Sequence, residues 1–219
     1  MHFTNMVEDS FAYAKGAVVG EWMRWVLLVV STIIFPLIMG YVVRIYSGKE
    51  PAPELEDWGS LFIDGIKLFI IGLIYSIPVI LVFLLFMGGS IALFSTGSNA
   101  AAAAGLGSML LGIVLMIVVS IVISLIAAIG MIRFARKDSL GEAFNVSAIL
   151  AHIGKIGWGS YIAALIVLWL IGIVFAVIVS ILGIIPVIGW LIALFLYPAF
   201  IIFQARYMVT IYESAPAPA

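Results

Sequence analysis

Two stretches of this chain, Leu68 to Ile132 and Ile156 to Ala205, contain no Asp, Glu, Lys, Arg or His. Each is longer than the ~20 residues one helix needs to cross a bilayer, and each has room for two crossings. Gly, Ser and Asn interrupt the first run at Ser95 to Ser108 (STGSNAAAAAGLGS), and Gly183, Pro186 and Gly189 interrupt the second at Ile181 to Gly189. Both read as transmembrane hairpins. Composition agrees: 65% of the 219 residues are hydrophobic and 10% charged, and the mean hydropathy is +1.32. Soluble domains are closer to half apolar and a quarter charged. The expected fold is all-α, a polytopic integral membrane helical bundle. Its four transmembrane helices run at about Lys67 to Phe94, Ser108 to Ile132, Trp158 to Ile181 and Gly189 to Met208.

The borders of the runs orient them. Neither hairpin turn is charged, whereas Arg44, Lys49, Lys67, Arg133, Arg136, Lys137, Lys155 and Arg206 all lie at the opposite ends. By the positive-inside rule that end is cytoplasmic, so the expectation is a multi-pass protein of the cell membrane with its C-terminus in the cytoplasm. Trp22, Trp25, Trp58, Trp158 and Trp190 fall near span ends, as an interfacial belt requires. The apolar segment Trp25 to Val43 has two readings. It is long enough for one crossing. It also has Pro36 at a position where it could turn and re-enter, which keeps Lys15 and Arg24 with the other basic residues and the N-terminus cytoplasmic. The re-entrant reading is preferred.

Between the spans lie segments suited to a membrane surface. In Ser139 to Trp158, Ala143, Val146, Ile149, Leu150, Ile153 and Ile156 recur at three- and four-residue steps, and Asn145, Ser147, His152 and Lys155 fall mostly off that face. Ser139 and Glu142 have capping-box spacing, predicting an interfacial helix over 139–155. A second interfacial helix is predicted over Asp57 to Lys67 and a third over residues 1–20. No cleaved signal peptide is expected, because acids precede the first apolar run and no small-x-small site follows it. The tail Glu213 to Ala219, ESAPAPA, is expected to be disordered.

A shift of 88 residues lays Leu61, Phe62, Asp64 and Lys67 on Ile149, Leu150, His152 and Lys155. Tandem duplication and the plain grammar of alternating surface and spanning segments both produce such a pattern. Duplication would favour a full crossing by Trp25 to Val43.

The runs GYVVRIYSG (Gly40 to Gly48), PELEDWGSLFIDGIKLFIIGLIYSIP (Pro53 to Pro78), RFARKDSLGEAFNVSAILAHIGKIGWGSY (Arg133 to Tyr161) and IIPVIGW (Ile184 to Trp190) resemble the domain of unknown function 4013 family of multi-pass archaeal and bacterial membrane proteins. The resemblance extends from about Trp22 to Tyr212. It implies a fold and an archaeal rather than bacterial source, and it carries over no activity and no functional residue.

The residues themselves limit the chemistry. The spans lack the ionisable groups that mark proton relays, ion sites and voltage sensors. With no cysteine there is no thiolate metal site or cysteine nucleophile, and a net charge of -1 disfavours nucleic-acid binding. The polar residues of the spans, Ser31, Thr32, Tyr75, Ser76, Ser90, Ser120, Ser124, Ser160, Ser180, Tyr197 and Gln204, are read as helix-packing groups, with hydroxyls bonded to their own or neighbouring backbones, rather than as a substrate track. No catalytic residue, metal ligand or cofactor is assigned, and the acidic loop Glu50 to Asp57 is read as solvated rather than as a cation site. Candidate lipid-headgroup residues are Arg133, Arg136, Lys137 and Lys155. Asp64 with Lys67 and His152 with Lys155 are candidate interfacial polar pairs.

Three functions follow in order of preference. The first is a non-enzymatic membrane protein that works by assembly, as a self-associating scaffold or a small accessory subunit. The second is a passive channel or carrier for a lipid or small apolar solute, formed between protomers. The third is an enzyme acting on lipid headgroups through Asp64, His152 or the acidic loop. Expected partners are membrane lipids and either a second copy of the chain or a larger membrane complex.

Overall fold

The computed structural model describes residues 2–215 and is all-helical there. In chain order the helices are α1 (Phe3–Val18), α2 (Trp22–Ile33), α3 (Phe35–Tyr46), α4 (Trp58–Phe94), α5 (Asn99–Lys137), α6 (Val146–Ile156), α7 (Trp158–Leu182) and α8 (Ile188–Glu213), with a 3₁₀ turn at Leu140–Phe144. Four of them, α4, α5, α7 and α8, are long and apolar enough to cross a bilayer. The chain is thus a polytopic helical membrane protein. It divides into two compact units, residues 1–69 with 129–219, and residues 70–128.

In the first unit α8 is the central helix, with α1, α2, α3 and α7 all packed on it. Its inner face buries Ala193, Ile202, Phe203, Ala205, Tyr207 and Ile211, and the Tyr207 hydroxyl donates to the Ala164 carbonyl of α7 at 3.2 Å. The α1 helix buries Met6, Ser10, Ala14, Ala17 and Val18. Those positions recur at three and four residues, one helical face, so the N-terminal segment is a packed element of the bundle. α1 and α2 meet at 101°.

The ambiguous segment breaks where the sequence places a proline. Pro36 has no N–H to continue the ladder of α2, and its fixed φ suits the first turn of a new helix, so α3 starts at Phe35. Both ends of the α2–α3 pair reach one loop residue: Arg24, at the start of α2, pairs with the Glu54 carboxylate, and Arg44, near the end of α3, donates to the Glu54 carbonyl at 3.0 Å. An unbroken helix over the same residues would hold those arginines ~30 Å apart. Arg24 and Arg44 thus meet at the loop that follows α3, and α2–α3 is a helical hairpin.

Antiparallel packing of α3 on the start of α4 is unusually close. A Cβ on Gly40 would lie 1.8 Å from the Leu61 carbonyl oxygen, and one on Gly65 would lie 1.7 Å from that of Pro36. Only glycine allows backbones to approach so nearly. Leu61 at the crossing is fully buried, as are Tyr41 and Leu68 nearby.

The second unit is a plain helical hairpin, residues 70–128 of α4 and α5. Its two arms meet where Gly112 faces Phe86 and Gly105 faces Phe94, and the Ser108 hydroxyl lies 3.4 Å from the Phe86 carbonyl.

Several boundaries differ from those read in the sequence. The interfacial helix expected over Asp57 to Lys67 is continuous with the span, because nothing between Trp58 and Phe94 interrupts the ladder except Pro78, and α4 continues through it. The hairpin turn expected over Ser95 to Ser108 shrinks to Ser95–Ser98, since the alanine run from Ala100 is strongly helix-forming and joins α5. The helix expected over 139–155 is split. Ser139 makes no capping bond and Glu142 turns to Arg133, while Asn145 caps α6 by accepting the Ala148 N–H at 3.2 Å. Gly157, at φ 91°, then separates α6 from α7. Glu213, expected in the disordered tail, closes α8, and residues 216–219 lie outside the described residues.

Candidate functional site

The charged side chains of the first unit are organised by the acidic segment between α3 and α4. Tyr13 donates to the Lys49 carbonyl at 2.9 Å, and Tyr41 donates to the Pro53 carbonyl at 2.9 Å. Ala52 and Leu55 are buried, so the loop is strapped to the bundle rather than free in solvent as expected. Its carboxylates go to different helices. Glu50 reaches Arg206 of α8, which also donates to Asp9 of α1 at 2.7 Å, and Glu54 reaches Arg24 of α2. The Arg206 side chain is only 8% exposed, and a charge removed from water to that extent is stable only when paired and hydrogen-bonded. Three elements distant in sequence are clamped by that one guanidinium, whose face also lies 5.0 Å from the centre of the Tyr13 ring.

Beside this clamp is an open polar cleft of about 480 Å³. Arg44, Ser60, Asp64 and Lys67 line it from α3 and α4, and Glu56 and Asp138 face it from adjoining segments. Arg44 is engaged by three oxygens, the carbonyls of Glu54 and Asp57 and the Ser60 hydroxyl. Lys67 donates to Asp64 at 2.9 Å, forming the expected pair.

The other expected pair does not form. His152 places Nε2 2.9 Å from the Tyr212 carbonyl and stacks on the Tyr212 ring at 4.0 Å, pinning α6 to the end of α8. Burial holds its pKa below the usual histidine range, partly opposed by the bond to Tyr212 and reinforced by nearby Arg133 and Lys155. Of the four candidate headgroup residues, two have their charge engaged within the fold. Arg133 pairs with Glu142, whose carboxyl is held below its ordinary value by that bond, and Arg136 pairs with Glu213 and donates to the Tyr46 carbonyl at 2.9 Å. The reason is proximity: each lies near a carboxylate that the sequence reading placed elsewhere, Glu142 in a capping box and Glu213 in the tail. Lys137 and Lys155 make no ion pair among the described residues.

Six of the span hydroxyls are bonded within their own helices. Ser31, Thr32, Ser90 and Ser180 donate to the carbonyl four residues back, and Ser76 and Ser124 to the carbonyl three back. Among the described residues no group of three His, Asp or Glu side chains is placed to hold a metal ion. What the sequence did not reveal is the Asp9, Arg24, Glu50, Glu54 and Arg206 clamp. Its partners lie up to 197 positions apart, and only the position of Arg206 at the end of a charge-free run hinted at a role.

Fold and site together define a multi-pass membrane protein whose charged end is tied together by internal ion pairs. The chain belongs to the family described as protein of unknown function (DUF4013), whose model matches residues 25–184. That match is narrower than the sequence resemblance suggested and stops short of α8. No curated protein and no solved structure matches the chain. The residues that carried the resemblance have structural work: Gly40 and Gly65 make the α3–α4 crossing, Tyr41 and Arg44 hold the acidic loop, and Asp64 pairs with Lys67.

Proposed function

We propose that the chain is a non-enzymatic membrane protein that works by assembly, as a self-associating scaffold or as a small subunit of a larger complex. The observation that carries this reading is the number of open small-residue positions on spanning helices. A Cβ added at Gly88 of α4, Gly107 of α5, or Gly159 or Gly172 of α7 would meet nothing within 4 Å. In lipid there is little hydrophobic drive between helices, and small residues that let backbones approach are a principal source of association. The groups a catalyst would need are engaged elsewhere, Asp64 with Lys67 and His152 with Tyr212.

In this reading the protein lies in the cell membrane with its charged end, including both termini, in the cytoplasm, and α2–α3 re-enters from that side. Native mass spectrometry of protein extracted from its own membranes in mild detergent tests the assembly. A closed homo-oligomer, or a fixed ratio to a larger subunit, supports it, and replacing Gly107 or Gly172 by Leu should then reduce the assembled fraction. A monomer under the mildest extraction contradicts it.

A further inference from the structure

A second cavity, separate from the polar cleft, opens between α1 and α7 where both rest on α8. Its volume is about 440 Å³, which at ~30 Å³ per water is on the order of fifteen water volumes, the bulk of one fatty chain. Phe11, Phe175, Phe200 and Phe203 give it an aromatic wall, and Phe175 stacks on Phe200 with ring centres 3.9 Å apart. The one polar edge among its aromatics, the indole N–H of Trp25, already donates to the Phe195 carbonyl at 2.9 Å. A groove of this kind, open to the side of a membrane bundle, is filled by hydrocarbon, since water there would find no partners.

One residue breaks the apolar lining. Lys15 of α1 is the only ionisable side chain in the groove, and among the described residues no carboxylate lies within ion-pair distance of it. Arg24, Arg133, Arg136 and Arg206 each have a carboxylate partner, whereas Lys15, like Lys49, Lys137 and Lys155 outside the groove, has none among the described residues. It lies six residues along α1 from Asp9, which is fixed at Arg206, so its Cα is ~9 Å along the helix from that of Asp9, and its flexible stem lets the ammonium reach beyond the apolar lining.

We propose that this groove is a binding site for an anionic membrane lipid, with one chain against Phe175 and Phe200 and the headgroup phosphate on Lys15. Charge complementarity selects the headgroup and the aromatic wall holds the chain. The site is independent of the assembly reading and differs from the basic cluster at Arg133 and Arg136, whose charge is engaged.

The test uses the full chain in nanodiscs of equal phosphatidylglycerol and phosphatidylcholine, followed by native mass spectrometry of the lipid retained after the disc is stripped. Wild type should retain one phosphatidylglycerol per chain. Lys15→Gln should lower the preference for phosphatidylglycerol over phosphatidylcholine about fivefold, the effect of one charge at a membrane surface, while leaving a lipid bound. Ala199→Phe, which fills the groove from α8, should abolish retention. If that variant does not fold, Ile178→Trp fills it from α7. Unchanged headgroup preference in Lys15→Gln, or full retention in the filled variants, overturns the proposal. So does a filled variant that keeps its lipid but loses oligomers, because the groove would then hold a second copy of the chain.

Discussion

In the hairpin of residues 70–128 two uncharged helices meet through Gly112 against Phe86 and Gly105 against Phe94, with no ion pair among its described residues. The larger unit has similar apolar faces, but its helices are tied by five arginines and by a glycine crossing at backbone contact. A contact between one side chain and one small residue can relax by sliding, and lipid replaces what it loses. A backbone crossing or a buried guanidinium cannot relax in that way, because the alternative is a steric overlap or an unpaired charge. Geometry in the first case is permissive, and in the second it is specified.

That difference ranks the expected effects of substitution. Gly65→Ala and Gly40→Ala should cost the most, more than ~3 kcal/mol, since the new methyl group meets a carbonyl oxygen rather than a movable side chain. Thermal unfolding in detergent, followed by tryptophan fluorescence, measures this. Gly112→Ala in the hairpin meets Phe86 Cβ at 2.4 Å, an atom that moves only with its helix, but the two helices can part without leaving a charge unpaired, so it should cost less; an equal loss would break the comparison.

Arg206→Gln comes next, at about 2 kcal/mol, because Asp9 and Glu50 are 47% and 56% exposed and can be rehydrated once their partner is gone. Faster proteolysis within residues 3–18, with the rest of the chain protected, would show that α1 has left α8. Acidification should have a smaller effect. The folded-state pKa of His152 is lowered, so the unfolded chain binds its proton more tightly and stability falls as pH drops below ~6.5 toward the folded value. That loss should be absent in His152→Gln. The smallest change is expected for Ser108→Ala, where a 3.4 Å bond is removed from the hairpin. Its cost should be under ~0.6 kcal/mol, the average for hydrogen bonds between membrane helices.

Much of the fold was legible because hydrophobic runs and their interruptions follow directly from bilayer physics. The charge-free stretches gave four spans, and Pro36 marked the break between α2 and α3. Boundaries failed where one local preference outweighed another. Alanines at 100–104 extended α5 through an expected turn, and Asn145 took the capping role assigned to Ser139. The two segments related by the 88-residue shift show the same effect: Phe69 continues α4, whereas its counterpart Gly157 adopts φ 91° and separates α6 from α7. The site was less legible. Asp64 and Lys67 could be paired from their spacing, but Arg133 and Arg136 were read as free because Glu142 and Glu213 become partners only once the chain folds back. Nothing local in the sequence joins Asp9 to Arg206.

The hairpin that brings Arg24 of α2 and Arg44 of α3 to the same loop residue, Glu54, is the central feature of the fold. The chain has no cysteine, so paired cysteines can be introduced without background, at positions 24 and 54 and, as a reference, at 44 and 54. In membranes, a short bismaleimide should link both pairs, because Arg24 and Arg44 both reach Glu54. Linkage of 44 to 54 without linkage of 24 to 54 would mean that residues 25–43 cross the bilayer, and would contradict the fold described.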